Sequence, residues 1–215
     1  SPQKMDKKCT ILWTDESKFT NNGLLNRWNF RIWAEENPQV TFATRHQVAF
    51  STNVWCGVLG NQLIGPYFYR ENLTGERYLT FLRDILPVLL EDVPLKRRLD
   101  MYFQQDGCPA HNARVVRRYL DRNFHEKWLG THGPIQWPPR SPDLTPMDYF
   151  LWGYLEGGVC CGLGPVASVG DLERRVALAC LDLDFATVGA AAGRAWESGA
   201  LACLSVDGAR FEQLL

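Results

Sequence analysis

Residues 99–123, LDMYFQQDGCPAHNARVVRRYLDRN, combine a short apolar run with a helical pattern. The run from Leu99 to Gln104 predicts a buried strand that leads into Asp106. Apolar residues spaced three and four apart then predict a helix from about Asn112 to Asn123. We expect the buried face of this helix to hold Val115, Val116, Tyr119 and Leu120. A strand, an acidic residue and a helix in this order are typical of an α/β domain.

Further strands and helices are predicted on the N-terminal side of this unit. Cys9 to Thr14 (CTILWT) is an apolar run that predicts a strand ending at Asp15. Residues 47–69 hold β-branched and aromatic runs broken at Gly60-Asn61, which predicts strands joined by a tight hairpin. Thr74 is expected to cap the helix that follows.

The same alternation continues on the C-terminal side. Ile135 to Trp137 predicts a short strand. At residues 141–156 a proline-rich loop leads into a helix, with Thr145 as its N-cap and Pro146 as its first residue. Two more helices are expected, at about 168–181 and 184–203. Strands that alternate with helices predict an α/β fold.

Composition divides the chain near residue 157. Residues 1–156 hold 19 basic and 17 acidic residues, whereas residues 157–215 hold 4 and 7 and no lysine. The second segment also holds nine of the 18 glycines. We therefore predict a core domain over 1–156 and, over 157–215, a Gly/Ala-rich linker at 157–170 and a helical tail that packs on the core. The net charge of −1 excludes a basic surface over the whole molecule, although local basic patches remain compatible with it.

Cysteine usage and hydropathy exclude several classes of protein. The seven cysteines are odd in number and form no C-x-x-C pair, which disfavours a disulfide framework or a zinc ribbon and favours a reducing compartment. No run of about 18 apolar residues exists, so we expect no transmembrane helix and no membrane partner. Ser1 to Thr10 is polar and is not a signal peptide.

Three acidic residues occupy comparable places in this scheme. Asp15 and Asp106 each end a predicted strand, where sites in open α/β sheets are usually built, and Asp148 lies in the first turn of a predicted helix. Three carboxylates suit a hard ion such as Mg²⁺, and two such ions about 4 Å apart would clamp the oxygens of a phosphodiester displacement. The structural alternatives are turn residues for the first two and, with Thr145, a capping box for the third. Spacing alone leaves both interpretations open.

The segments around these acids resemble one known family. TDESKF at 14–19, QQDGCPAH at 104–111 and WPPRSPDLTPMDYFLWGYL at 137–155 resemble, in order, the catalytic domain of mariner-type transposases of the DDE/D transposase and integrase superfamily. LNRWNFRIWAEENP at 25–38 is similar to the family's stretch after the first acid, and parts of the tail also look similar. The resemblance implies a ribonuclease H-like mixed sheet flanked by helices, with a helical C-terminal tail.

The resemblance also implies a function. Asp15, Asp106 and Asp148 match the family's three metal-binding catalytic acids, which hold two Mg²⁺ ions, with Mn²⁺ as a substitute. The family hydrolyses a DNA strand at the transposon end and joins that end to target DNA. We therefore expect DNA partners, a nuclear location and no organic cofactor. Asp143 is the alternative third acid, but Asp148 is preferred because the family's acid opens the helix.

Side chains near the three acids have less specific assignments. His111 follows Asp106 in DGCPAH and is expected to orient a neighbour through a hydrogen bond. Cys108, in the same loop, is expected to be a small filler. Glu16 and Glu156 are expected to be surface charges.

Two further regions are candidates for contacts with partners. Arg114, Arg118 and Arg122 share one helix face, and with Arg140 they form either a solvated surface or a contact to the DNA backbone. The aromatic residues Trp28, Phe30 and Trp33 are typical of a core, yet by the resemblance their loop reaches towards a partner subunit. A homodimer contact through residues 19–46 is therefore expected.

The sequence departs from the family in three places. Asp106 and Asp148 are separated by 41 residues, more than is usual in the family, and the extra length is expected in a loop at 125–135. The family's N-terminal DNA-recognition region is absent from the sequence, and the tail is Gly/Ala-rich. These departures favour an alternative interpretation, in which the chain is a domesticated transposase-derived module that binds nucleic acid and is catalytically weak or inactive. A ribonuclease H-type nuclease acting on RNA–DNA hybrids is a third interpretation.

Overall fold

A six-stranded mixed sheet forms the centre of the molecule. The computed structural model describes residues 10–21, 50–137, 145–160 and 164–194. The strands are β1 (Ile11–Thr20), β2 (Ser51–Leu59), β3 (Gln62–Tyr69), β4 (Tyr102–Gln104), β5 (Trp128–Gly130) and β6 (Ile135–Gln136). Their order across the sheet is β3-β2-β1-β4-β5-β6. The first three strands are antiparallel, and β4, β5 and β6 extend the sheet from β1 in parallel.

Helices cover both faces of this sheet. They are α1 (Gly75–Thr80), α2 (Leu86–Leu89), α3 (Leu95–Asp100), α4 (Arg114–Asn123), α5 (Trp152–Cys160), α6 (Val169–Leu181) and α7 (Phe185–Arg194). The π-helical turn Phe81–Ile85 joins α1 to α2, and a second one, Met147–Leu151, leads into α5. A mixed sheet flanked by helices, with helices in the C-terminal region, confirms the predicted fold class.

Two hydrophobic cores lie on opposite sides of the sheet, because successive side chains of a strand point to opposite faces. Leu12 packs into the core beneath α1, α2 and α4. Trp13 packs into the core beneath α5, α6 and α7. β1 is therefore covered on both faces, which explains why its first residues form an uninterrupted apolar run.

The predicted helix cap at Thr74 and the predicted hairpin at Gly60 both formed. Thr74 Oγ1 accepts a hydrogen bond of 3.3 Å from the N–H of Arg77 and caps α1. Gly60 has a φ of +62° in the two-residue turn between β2 and β3, a conformation that glycine adopts without steric cost. Ser168 accepts a hydrogen bond of 3.1 Å from the N–H of Asp171 and caps α6.

The two strands that carry candidate acids differ from their predicted bounds. β1 runs on to Thr20, so Asp15 lies inside the strand and not at its end. The strand continues because β2 pairs with it well past the point where β4 stops pairing. Residues 99–100 belong to α3, and the following strand begins only at Tyr102. Pro94 precedes α3 directly, and its fixed φ favours the start of a helix there.

Other differences concern segments between the predicted elements. β5 lies within residues 125–135, which were predicted to be a loop. The strand was not predicted because three residues are too few to show the alternation of a strand. Val115 is 39% exposed, since α4 turns Val116 and Leu120 to the core instead. Residues 157–160 end α5 and are not a linker. There, a Cβ on Gly158 would lie 2.9 Å from the Cβ of Ala179, so the glycine permits close contact with α6.

The tail helices contribute to the core beneath α5. Leu172, Val176 and Val188 are buried in the same cluster as Trp13. The predicted helix at 184–203 begins at Phe185 and is described as far as residue 194. None of the described helices alone is long and apolar enough to span a membrane. Val169–Leu181 and Phe185–Gly193 meet those criteria only as a pair bent by 81°.

Candidate active site

Asp15 and Asp106 come together through the pairing of β1 with β4. These strands pair in parallel through residues 11–12 and 102–103, and continuing the same register by three residues places Asp15 opposite Asp106. Beyond the ladder, Thr14 Oγ1 donates a hydrogen bond of 2.6 Å to the carbonyl of Gln104. The backbone N–H of Thr14 also donates to Gln104 Oε1 at 3.1 Å. These bonds hold the two acid-bearing segments side by side at one end of the sheet.

The carboxylate of Asp106 is held by the loop that follows it. Its Oδ1 accepts a hydrogen bond of 3.0 Å from the N–H of Cys108 and lies 2.5 Å from Nδ1 of His111. The His111 side chain is 2% exposed, and its Nε2 lies 3.2 Å from Oε2 of Glu16. The imidazole also lies against the Tyr78 ring, with 4.1 Å between the centroids. His111 therefore bridges an acid after β4 and an acid in β1.

The charges of these groups stabilise one another. Burial alone would lower the pKa of His111, but the charge of Glu16 and the hydrogen bond to Asp106 raise it well above its ordinary value. Burial acts to raise the pKa of Asp106, yet the hydrogen bond and charge of His111 and the Cys108 N–H hold it below its usual range. His111 therefore favours the ionised form of Asp106, and Asp106 favours the protonated form of His111.

Asp148 reaches the same end of the sheet from the π-helical turn before α5. Thr145 Oγ1 donates a hydrogen bond of 2.8 Å to Asp148 Oδ2 and accepts one of 3.4 Å from the Asp148 N–H, which is the contact of a capping residue. One turn later, Trp152 Nε1 donates a hydrogen bond of 2.7 Å to Asp15 Oδ2. The helix that carries Asp148 is thus tied directly to Asp15.

The electrostatics of Asp15 reflect this proximity. Burial, followed by the negative charges of Asp148 and Glu16, raises the pKa of Asp15 to about 8, although the hydrogen bond from Trp152 lowers it. A divalent cation among these carboxylates would remove the repulsion between them. Carboxylate oxygens are also the donors that Mg²⁺ and Mn²⁺ prefer. The residues present therefore fit a hard divalent metal ion.

A tighter group of potential ligands lies beside these acids. In the parts of the chain that the structure describes, the Asp106, Cys108 and His111 side chains offer ligand atoms that all lie within 4.8 Å of one another. Asp15, Asp106 and Asp148 do not form so close a group.

Sequence reasoning missed some of the side chains that support the site. Glu16 was expected to be a surface charge, but its side chain is 16% exposed and faces His111. Glu156 is half-buried, and burial raises the pKa of its carboxyl group. Trp152 was not predicted to donate a hydrogen bond to the site. Strand alternation was the available signal for Glu16, because it must point to the face opposite Asp15, where α1 and α4 pack.

The predicted partner-binding residues lie partly outside the described ranges. The basic face on α4 is exposed, and its three members form no ion pair with any described residue; they are Arg114, Arg118 and Arg122. Arg140 and Asp143 lie outside the described residues. Most of the predicted dimer segment, with Trp28, Phe30 and Trp33, also lies outside them.

One curated protein is similar to this chain in sequence. The Tc3 transposase of Caenorhabditis elegans is 29% identical over 146 residues, which are 67% of this chain and 40% of the transposase. The chain thus spans less than half the length of that relative. No protein-family model matches the chain.

Solved structures of the Mos1 transposase share the fold. The Mos1 paired-end complex with the left transposon end has a TM-score of 0.65 at 20% identity, over 94% of this chain and 56% of that one. The catalytic domain of the Mos1 mariner transposase has a TM-score of 0.63 at 20% identity, over 94% of this chain and 84% of that domain. Other Mos1 structures were determined with Mg or Mn. The chain therefore shares the fold of the Mos1 mariner transposase catalytic domain, and these similarities agree with the predicted resemblance to mariner-type transposases.

Proposed function

We propose that this chain is a transposase-type catalytic domain that cleaves and joins DNA strands with two divalent metal ions held by Asp15, Asp106 and Asp148. One observation carries the proposal. Strand register and the bond from Trp152 to Asp15 bring three acids, far apart in the sequence, to one end of the sheet. The similarity to the Tc3 and Mos1 transposases supports DNA strand cleavage and joining as the reaction.

The chain's own residues position the three carboxylates. Trp152 fixes one oxygen of Asp15, and His111 with the Cys108 N–H fixes Oδ1 of Asp106. Thr145 holds Oδ2 of Asp148. When bound, the two ions would activate water or a 3′ hydroxyl as the nucleophile and stabilise the charge that develops on the phosphate. The protein contributes orientation and charge neutralisation, which are the main requirements of such a reaction.

The proposed DNA partners are transposon ends and target DNA. The exposed basic face on α4 supports contact with a phosphate backbone, because its guanidinium groups have no described carboxylate to neutralise them. This face follows directly from the loop that carries Asp106. A DNA substrate also makes the nucleus the proposed location, and residues 19–46 remain the proposed contact between two subunits.

Nicking of supercoiled plasmid tests this function. The parent chain should convert supercoiled to open-circular plasmid only when Mg²⁺ or Mn²⁺ is present. Asp106→Asn should lose this activity while keeping the parent's circular dichroism and thermal unfolding. Asp92→Asn is the matched control, because Asp92 is exposed and lies away from the site. Equal nicking by the parent and Asp106→Asn would show that the acids do not hold the reacting metal ions.

A second candidate function is a transposase-derived nucleic-acid-binding module without turnover. The tail favours it, because Leu181 and Phe185 are 83% and 64% exposed and residues 157–215 hold no lysine. This candidate predicts salt-sensitive binding to duplex DNA by a folded chain, with no metal-dependent nicking. The plasmid assay combined with a gel-shift titration at two salt concentrations separates the two candidates.

A further inference from the structure

The loop that carries Asp106 also contains the atoms of a different metal site. Asp106, Cys108 and His111 present a carboxylate oxygen, a thiol sulfur and an imidazole nitrogen within 4.8 Å of one another. In a tetrahedral site with bonds of about 2.0–2.3 Å, ligand atoms lie roughly 3.3–3.8 Å apart. The three atoms can therefore reach one ion with small side-chain movements. An oxygen, nitrogen and sulfur set favours Zn²⁺ and similar thiophilic ions over Mg²⁺.

A second feature also points to a metal site. Histidines that bind metals usually direct their second ring nitrogen to a carboxylate, which fixes the ring orientation. His111 has this arrangement, because Nδ1 lies 2.5 Å from Oδ1 of Asp106 while Nε2 lies 3.2 Å from Oε2 of Glu16. The side chain of His111 is 2% exposed, so the ring has little freedom to turn away. Glu16 would serve as the carboxylate behind the metal-binding imidazole.

The backbone of the loop already has the necessary shape. The N–H of Cys108 donates a hydrogen bond to Asp106 Oδ1, and Asn112 Nδ2 donates a hydrogen bond of 3.0 Å to the carbonyl of Gly107. Gln105 Nε2 donates 3.2 Å to the carbonyl of His111. These hydrogen bonds close the loop around the three ligand side chains. The loop backbone is therefore already ordered before a metal ion binds.

We propose that Asp106, Cys108 and His111 form a site for one thiophilic divalent ion such as Zn²⁺, with Glu16 supporting His111. Binding there replaces the hydrogen bond between His111 and Asp106 by bonds to the metal, and the protons of the Cys108 thiol and of His111 Nδ1 pass to the solvent. Asp106 then serves this ion, so the site excludes the use of the same carboxylate by Mg²⁺ or Mn²⁺. The inference goes beyond the proposed function, and it holds whether or not the chain cleaves DNA.

Direct titration with Cd²⁺ and Zn²⁺, without DNA, tests the site. The probes are the two ions alone, added to the reduced full chain. We expect an ultraviolet charge-transfer band from a cysteine thiolate to Cd²⁺ that saturates at one ion per chain. Cys108→Ser should abolish this band, and Cys161→Ser, which removes a thiol 53 positions further along the sequence, should preserve it. Glu16→Gln should weaken Zn²⁺ binding by roughly 10–100-fold, the usual effect of losing a carboxylate behind a metal-binding histidine.

Competition supplies an independent readout. Where Asp106 also binds Mg²⁺, as the proposed function requires, added Mg²⁺ should weaken Zn²⁺ binding to the parent chain. Retention of the band and of parental Zn²⁺ affinity in folded Cys108→Ser would overturn the proposal. So would loss of the band in Cys161→Ser alone. If the chain nicks DNA, micromolar Zn²⁺ should inhibit the parent and not Cys108→Ser; if it does not, the binding results still decide the proposal.

Discussion

Replacing Trp152 with phenylalanine removes the indole N–H that donates 2.7 Å to Asp15 Oδ2 and keeps an aromatic ring in the core. A hydrogen bond to a charged group contributes about 1.5–3 kcal/mol, and we take the lower end of that range, roughly 1.5 kcal/mol. That free energy corresponds to about one pKa unit, upward from about 8 in the parent. The substitution therefore makes ionisation of Asp15 harder.

The consequence for metal binding depends on pH. A divalent ion binds the ionised carboxylate, so protons compete with it below the pKa of Asp15. At pH 7 the ionised fraction falls from about 10% in the parent to about 1% in Trp152→Phe, which weakens Mn²⁺ binding roughly tenfold. At pH 9 the fractions are about 90% and 50%, so the two proteins should differ only about twofold.

Mn²⁺ binding can be followed by the electron paramagnetic resonance signal of the free ion at both pH values. Trp137→Phe is the matched control, because Trp137 is 4% exposed in the same core and packs against Trp13. Trp137→Phe should remove buried aromatic surface without changing the pH dependence of Mn²⁺ binding. The reasoning is refuted if Trp152→Phe binds Mn²⁺ like the parent at pH 7, or if both variants shift equally at both pH values.

Three further predictions concern stability and DNA binding. Arg175→Met should lower the free energy of unfolding by about 2–4 kcal/mol in denaturant titrations, because Arg175 is buried and donates to three backbone carbonyls before α6; no loss would contradict this assignment. Gly75→Ala should lower the free energy of unfolding by about 1–3 kcal/mol, since the new Cβ would lie 2.4 Å from that of Ala113, whereas Gly157→Ala has open space around it and should stabilise α5 by up to about 1 kcal/mol. A more stable Gly75→Ala than Gly157→Ala would refute the packing at these two glycines. A triple variant that removes the charges of the basic face, Arg114→Gln with Arg118→Gln and Arg122→Gln, should weaken duplex DNA binding and reduce its salt dependence. Arg70→Gln is the control, and an unchanged dependence of binding on salt in the triple variant would exclude this face.

Much of the fold was predictable because short signals with clear physical causes mark its elements. The hairpin at Gly60 and the cap at Thr74 were expected, and both formed. Strand bounds were harder, because pairing partners decide them. Asp15 appeared to end a strand, but β2 continues to pair with β1 as far as Thr20.

The candidate site was predictable only in part. Local sequence marked Asp15, Asp106 and Asp148, whereas the side chains that position them depend on contacts between distant segments. Trp152 lies 137 residues from Asp15 in the sequence, and only the packing of α5 on the sheet brings them together. Glu16 was misjudged because a single charged residue in a strand gives no sign of the histidine that covers it.

The most direct test of the account is a crystal structure of the chain soaked in Mn²⁺, with the ions located by anomalous scattering. We expect Mn²⁺ peaks beside Asp15 of β1, one ligated by Asp15 and Asp106 and another by Asp15 and Asp148. Asp106→Asn should lose the first peak. Full occupancy of Mn²⁺ elsewhere, with no peak at Asp15, would contradict the proposal that these three acids form one metal centre.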